Sequence, residues 1–243
     1  MIGVILAAGD GTRLKIPSDS ADCKALKKAN QKCLIEYALN NLIDLNIDNA
    51  IIVVGKHGNL IRSFLGNKYK GINISYVTQQ KQNGLINAFI QAIKVIPSHK
   101  DVVLQLADEI FVNFDVNSVQ KYIDNTDYIF SCGITYENNP DKIKSNFSID
   151  LNENQTIIKC TEKPMVVTNN IKGTGFCIFK KEALQNLLKL YDEEKNTPND
   201  LCDYINFLTT HNKKCGVFLV ADKEFNINTK TDLEEADLFL QTK

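Results

Sequence analysis

The stretch Leu6-Ala7-Ala8-Gly9-Asp10-Gly11-Thr12-Arg13-Leu14 decides the fold, because it closes an apolar run, Gly3 to Leu6, with a glycine-rich turn. A short strand feeding such a turn is how an α/β unit begins. Glycines at 9 and 11 let backbone N–H groups come close to a phosphate chain. Arg13 adds a planar fork of charged donors, and it is one of only two arginines in the chain, the other being Arg62. Two common phosphate loops are excluded. A Walker A loop ends Gly-Lys-[Ser/Thr], whereas this one ends Gly11-Thr12-Arg13. A dinucleotide loop needs a third glycine where Leu14 stands, and an acid after the second strand, where the chain has Val54-Gly55-Lys56.

Outward from this loop, β-rich runs alternate with helical patterns. Leu34 to Leu45 has helical apolar spacing, Ala50 to Val54 is a buried strand, and Asn59 to Leu65 is a helix. Ile72 to Val77 alternates as a strand, Leu85 to Ile96 is helical, and Val102 to Leu106 is another apolar strand. The rhythm predicts a parallel sheet covered by helices on both faces. After Asp115 the pattern loosens. Tyr128 to Thr135, Phe147 to Leu151 and Thr156 to Cys160 are strands, the last two joined as a hairpin through Asn152-Glu153-Asn154-Gln155. Gly175 to Phe179 is a strand feeding a helix, Lys180 to Tyr191. A helix over Asp200 to Thr210, a strand over Gly216 to Val220 and a closing helix over Asp232 to Leu240 follow.

The 243 residues, 44% of them hydrophobic, suffice for one well-buried domain. A net charge of -1 argues against a nucleic-acid partner, so phosphate binding should be local. No apolar run reaches the ~20 residues of a membrane helix. The start, Met1-Ile2-Gly3-Val4-Ile5-Leu6, lacks a charged leader, so a cytoplasmic protein with no membrane partner is expected. Seven cysteines, none in C-x-x-C spacing, read as reduced thiols acting as small hydrophobes. His57, His99 and His211 also lack ligand spacing, which argues against zinc.

Further motifs occur in order. Lys24-Ala25-Leu26 and Lys32-Cys33-Leu34-Ile35-Glu36-Tyr37 follow the loop, with Cys33 in place of a proline. With them the first loop resembles the L-A-A-G-x-G-T-R-L signature of sugar-phosphate nucleotidyltransferases, and Asn83-Gly84-Leu85-Ile86-Asn87-Ala88-Phe89 is most similar to glucose-1-phosphate thymidylyltransferases. The resemblance covers nearly the full chain. It implies a single Rossmann-like α/β domain with a mixed, mostly parallel central sheet flanked by helices, its nucleotide half at 1–114 and its acceptor half at 115–243. It also implies transfer of a nucleotide from a nucleoside triphosphate, with a pyrimidine base, to a small phosphorylated acceptor such as a sugar-1-phosphate. Pyrophosphate is released.

Residue by residue, the resemblance assigns Arg13 and Lys24 to catalysis, where fixed cations stabilise charge building on the leaving pyrophosphate. Leu6, Ala7, Ala8, Gly9, Gly11 and Thr12 fall to the nucleotide. Gln79 and Gly84 fall to the base, an amide offering both donor and acceptor. Asp108, in Leu106-Ala107-Asp108-Glu109-Ile110-Phe111, matches the Mg²⁺-binding aspartate, while Glu109 replaces an asparagine. The second metal ligand falls on Asn226 or Asn228, between which the sequence does not choose; Asp232 reads as the cap of the last helix. Glu162, Lys163, Thr174 and Gly175 match acceptor-binding positions, and Phe147 stands where a glycine usually admits the sugar. That bulk and the asparagines leave two alternatives: a cytidylyltransferase for a phosphorylated alcohol or amino acid derivative, and a non-catalytic nucleotide-sugar sensor. The sequence is compatible with a homo-oligomer.

Overall fold

The computed structural model describes residues 1–9, 11, 14, 23–81, 83–193 and 197–242. The first strand, β1 (Ile2–Ala7), is buried on both faces: Val4 and Leu6 join one apolar cluster, Ile5 another. Alternation without a polar side is the pattern of a central strand covered by helices above and below. Gly3 lets the helix that carries Leu42 come close, since a Cβ there would lie 2.4 Å from Leu42 Cδ1. Two short antiparallel strands follow, β2 (Lys28–Ala29) and β3 (Lys32–Cys33), and then helix α1 (Leu34–Asp44). Glu36 caps α1 by accepting from the Cys33 N–H at 2.9 Å.

The first half continues with β4 (Asn49–Val54), α2 (Gly58–Leu65), a short β5 (Lys68–Tyr69) and β6 (Ile72–Thr78). It closes with α3 (Leu85–Ile93) and β7 (Val102–Leu106). β4 and β7 flank β1, and β6 flanks β4, all in parallel. The expected β-α-β-α rhythm is the observed one, except that α3 stops at Ile93 rather than Ile96.

The second half adds β8 (Glu109–Phe114), α4 (Val116–Asp124), β9 (Phe130–Tyr136) and α5 (Pro140–Lys144). The hairpin β10 (Phe147–Leu151) and β11 (Ile157–Glu162) turns where expected, with Asn152 Oδ1 accepting from the N–H groups of Asn154 and Thr156 at 3.0 Å each. β12 (Ile171–Phe179) starts four residues earlier than its pattern predicts. It is the antiparallel hinge of the sheet, pairing with β7 through its last residues, with β9 at both ends and with β10 through Lys172. Beyond it come α6 (Lys181–Asp192), α7 (Leu201–Thr210), β13 (Cys215–Leu219), β14 (Ala221–Asn226) and α8 (Lys230–Gln241). β13 runs parallel to β9, so the ten-stranded sheet is mixed, with a parallel centre.

Patterning does not predict β8 and β14, which form a separate antiparallel ribbon. Ile110, Val112 and Phe225 on the ribbon pack with Leu14, Leu34, Leu233 and Ala236 in a third apolar cluster. The register sets Asn226 opposite Glu109, and the Ile227 N–H donates to Asp108 O at 2.9 Å. The ribbon thereby brings the C-terminal asparagines to the end of β7. Among the described residues no helix is long and apolar enough to cross a membrane. All seven cysteines are buried and unpaired, as small hydrophobes would be.

Candidate active site

The carboxyl ends of β1, β6 and β7 open on one edge of the sheet, the edge where parallel α/β sheets bind ligands. A cavity of about 340 Å³ lies there, between Leu6, Ala8 and Gly9 after β1, Gln79 after β6, Gly84 and Leu85 entering α3, and Leu106 and Asp108 after β7. A second cavity, about 260 Å³, continues from Leu85, Leu106 and Asp108. Its walls include Glu109, Asn146, Phe147, Glu162, Lys163, Gly175, Asn226 and Asn228. Residues expected at a nucleotide and residues expected at an acceptor thus line adjoining spaces, and Asp108 lies at the seam. Ala7 is the last residue of β1, paired to Val54, and stays in the strand. Thr12 and Arg13 lie outside the described residues.

The seam has a definite charge arrangement. The Lys24 ammonium forms an ion pair with Asp108 and donates to Asn228 Oδ1 at 3.3 Å. Gly11 makes this approach feasible: its φ is +61°, and a Cβ would sit 2.9 Å from Lys24 Cβ. Behind Lys24 runs a chain of amides. Asn228 Nδ2 donates to Asn226 Oδ1 at 2.8 Å, and Asn226 Nδ2 donates to Asn146 Oδ1 at 2.8 Å. Asp232 is the expected cap, accepting from the N–H groups of Asn228 and Thr229 at 2.8 and 2.7 Å.

The donor set suits a hard cation in part. One carboxylate, Asp108, and one amide oxygen, Asn228 Oδ1, already converge on a single positive charge, the Lys24 ammonium. Asn226 Oδ1 faces its neighbour's amide instead. Among the described residues no cluster of three or more His, Cys, Asp or Glu side chains could hold a metal alone. A divalent ion here would draw its other oxygens from a bound phosphate chain and water.

Gln79 is buried, and its Nε2 donates to Gly84 O at 3.2 Å, bracing the loop into α3. Gly84 has φ +94°, a conformation open to glycine. On the other side, Glu162 is paired across the hairpin with Phe147, and the Lys163 N–H donates to Asn146 O at 2.7 Å. Lys163 Nζ stands 3.4 Å from Glu162 Oε1. Burial pushes the Glu162 carboxyl above its ordinary range, with Lys163 opposing the shift. The Gly175 N–H donates to Glu109 Oε1 at 2.7 Å. Thr174 differs from its expected place: its hydroxyl turns inward and donates to Gly133 O at 2.8 Å.

Sequence reasoning left three features unassigned. Asn146 closes the amide chain, and Asp200, the cap of α7, borders the acceptor cavity. A buried ion pair, Lys172 with Glu224, lies beneath Asn226. Glu109 and Glu224 each keep one buried oxygen without a hydrogen-bond partner. Burial pushes both carboxyls up, and their mutual repulsion adds to the shift of Glu109. Only the departure Asn→Glu at 109 was a visible signal; the partners come from the register of β8 and β14.

Comparison with known proteins agrees with this geometry. The profile described as nucleotidyl transferase matches residues 2–241. The UTP–glucose-1-phosphate uridylyltransferase AglF of Haloferax volcanii is 26% identical over 243 residues, covering 99% of this chain and 97% of that protein. The glucose-1-phosphate thymidylyltransferase of Neisseria meningitidis is 28% identical over 187 residues, covering 76% of this chain and 63% of that one. A crystal structure from Bacillus anthracis, described as a glucose-1-phosphate thymidylyltransferase in complex with sucrose, superposes with a TM-score of 0.87 at 21% identity. That superposition covers 100% of this chain and 96% of the other, and at such identity it speaks for the fold.

Proposed function

Since the chain belongs to the nucleotidyl transferase family, we propose that it transfers a nucleoside monophosphate from a nucleoside triphosphate to a sugar-1-phosphate and releases pyrophosphate. The observation that carries the reading is the seam: two cavities meet at Leu106 and Asp108, with Lys24 and Asn228 beside them. An acceptor phosphate in the second cavity faces the α-phosphorus of a triphosphate in the first. Its oxygen forms the new P–O bond as the bond to the leaving pyrophosphate breaks, and no covalent enzyme intermediate is needed.

In this proposal the backbone N–H groups of Gly9 and Gly11 hold the phosphate chain, together with Thr12 and Arg13 of the same loop. Lys24 stabilises the charge that builds on the departing oxygens, which is worth more in a partly dehydrated site than in water. Gln79 and Gly84 hold a pyrimidine base, with the Gln79 amide oxygen accepting from the ring N3–H where the base is uracil or thymine. Glu162 and Lys163 hold the acceptor, the first through sugar hydroxyls and the second through its phosphate. Asp108 and Asn228 are the residues we assign to Mg²⁺, which would neutralise phosphate charge when bound. A cytosolic setting completes the proposal.

The test is a pyrophosphate-release screen of the four common NTPs against a panel of sugar-1-phosphates, with Mg²⁺ present. Turnover with a pyrimidine NTP and at least one sugar-1-phosphate is the expected result. Release with no pair would refute the reading and favour a sensor.

A further inference from the structure

We propose that Lys172 is a positioning residue for the transfer: through its buried ion pair with Glu224 it holds the β8–β14 ribbon against β12, and so fixes Asn228 and Asp108 relative to Lys24 at the seam. The inference rests on the proposed transfer and names a residue that stands apart from both substrates. Lys172 and Glu224 border a separate space of about 220 Å³, shared with Asn146, Asn226 and Asn228. Among the described residues, the walls of the two substrate cavities include neither of them.

The ribbon is a two-stranded sheet of its own, with no ladder to the ten-stranded sheet. Just before β14 begins, the Val220 N–H donates to Ile134 O at 3.0 Å and ties the ribbon's base to β9. Toward the seam the links run through side chains. Glu224 pairs with Lys172, Glu109 Oε1 accepts from the Gly175 N–H at 2.7 Å, and Asn226 Nδ2 donates to Asn146 Oδ1 at 2.8 Å. Glu224 and Asn226 are two residues apart on β14 and share a face, while Phe225 between them turns to the third apolar cluster. Lys172 is paired with Ser148 of β10, which is two residues on from Asn146. The ion pair and the amide bond are therefore successive rungs between the same two segments, and the second rung leads to Asn228 and Lys24.

The charges show why this rung matters. Glu109, Glu224 and Asp108 repel one another, and Lys172 opposes them. Glu109 and Glu224 each keep a buried oxygen without a hydrogen-bond partner, so loss of the ammonium would drive the ribbon's acids away from each other and from β12. Stability alone does not account for the pair. Lys172 is 2% exposed and Glu224 4%, and apolar residues of similar volume at such depth usually hold a fold as well or better. What apolar residues lack is direction: a charge-assisted bond fixes one atom against another. Misplacing a reacting group by about 1 Å costs on the order of 100-fold in rate, and the rung beside Asn226 is where such a shift would enter.

The experiment separates position from stability with three variants: Lys172→Met alone, Lys172→Met with Glu224→Leu, and Lys172→Met with Glu224→Gln. Each is followed by thermal melts and by pyrophosphate release, with kcat and the KM for the NTP measured separately. The single variant leaves a buried carboxylate without its partner, and its Tm should fall by about 6 °C or more. The double variants remove that charge, and at least one should melt within about 4 °C of the unaltered protein. Its kcat should nevertheless stay about 10- to 100-fold low, with the KM for the NTP unchanged. A double variant that recovers both Tm and kcat overturns the inference and leaves the transfer intact, as does a loss carried by the KM for the NTP. Failure of both doubles to recover Tm also overturns it, because the pair would then hold the fold itself. Absence of pyrophosphate from the unaltered protein with every NTP and sugar-1-phosphate overturns the transfer reading, and this inference with it.

Discussion

Replacing Asn228 by aspartate should lower the Mg²⁺ concentration needed for half-maximal turnover, and replacing Asn226 should not. The two asparagines are equivalent in sequence terms, but the structure separates them. Asn228 Oδ1 faces the Lys24 ammonium at 3.3 Å beside Asp108, whereas Asn226 lies between two amides. A carboxylate at 228 therefore adds a charge where a cation would sit. Two unit charges about 4 Å apart gain roughly 1 kcal/mol even at the dielectric of water, and a divalent partner doubles that. Lys24, which would pair with the new carboxylate too, offsets part of the gain. A net effect near 1.4 kcal/mol, about tenfold in the half-saturating Mg²⁺, is expected. At 226 the same change turns the 2.8 Å bond to Asn146 Oδ1 into two facing oxygens. Losing a partly buried bond costs about 1–2 kcal/mol, or about 2–8 °C in Tm for a chain of this size. The assay is pyrophosphate release over an Mg²⁺ series at fixed NTP, paired with thermal melts. Equal Mg²⁺ responses in both variants, or a gain confined to Asn226→Asp, would refute the assignment.

Three other outcomes are expected. Gly11→Ala should cost about 1–2 kcal/mol for a side chain at φ +61° and should lower kcat by displacing Lys24; normal kcat in a folded variant would remove Gly11 from the positioning of that lysine. Gln79→Ala should raise KM for the preferred NTP and narrow its advantage over other NTPs, by about 1–3 kcal/mol of discrimination; an equal loss for every NTP would mean that Gln79 only braces Gly84. Glu109→Gln should stabilise the fold increasingly as pH rises. Burial and the carboxylates of Glu224 and Asp108 hold the Glu109 carboxyl above its ordinary range. The folded chain keeps that proton where the unfolded chain has lost it, so the wild-type advantage is full below about pH 4.3 and falls as pH climbs toward the raised value. Melts at pH 5 and pH 8 should therefore show the gap between variant and wild type widening at the higher pH, and a constant gap would contradict the shift.

The first half was legible because each element carries one dominant period. β1 shows both-face alternation, and α1 shows helical spacing. The ribbon of β8 and β14 was not legible. Glu109 and Glu224 are charged residues inside short strands, and a buried carboxylate contradicts the patterning that predicts strands. Tertiary packing overrides it: Ile110, Val112 and Phe225 fill the third cluster, and the ribbon's other face buries acids opposite Lys172. Motifs next to the first loop and β7 named the candidates that line the cavities. Which of Asn226 and Asn228 turns an oxygen toward Lys24 was not legible, because that depends on how the ribbon and the residues after it pack. Thr174 shows the converse: its motif is intact, yet the irregular β9–β12 pairing between Gly173 and Cys177 turns its hydroxyl to Gly133.

The amide chain from Asn146 through Asn226 to Asn228 gives the ribbon a functional consequence. One end holds the strand that carries Phe147 and touches the Lys163 backbone; the other end meets Lys24 at the seam. Amides suit this position better than carboxylates, because each can donate to one neighbour while accepting from another. A carboxylate at 226 could only accept, and the link to Asn146 would break. The chain therefore holds the start of β10 and the Asn228 oxygen that faces Lys24 in one fixed relation without adding negative charge near the buried Glu109 and Glu224. Glu224, paired with Lys172, and the buried Glu109 already crowd acidic groups there, and a third would raise the cost of burying them. Asparagine at 226 thus supports the geometry, while asparagine at 228 turns its oxygen to the Lys24 ammonium at the seam, which is why the metal role is proposed for it.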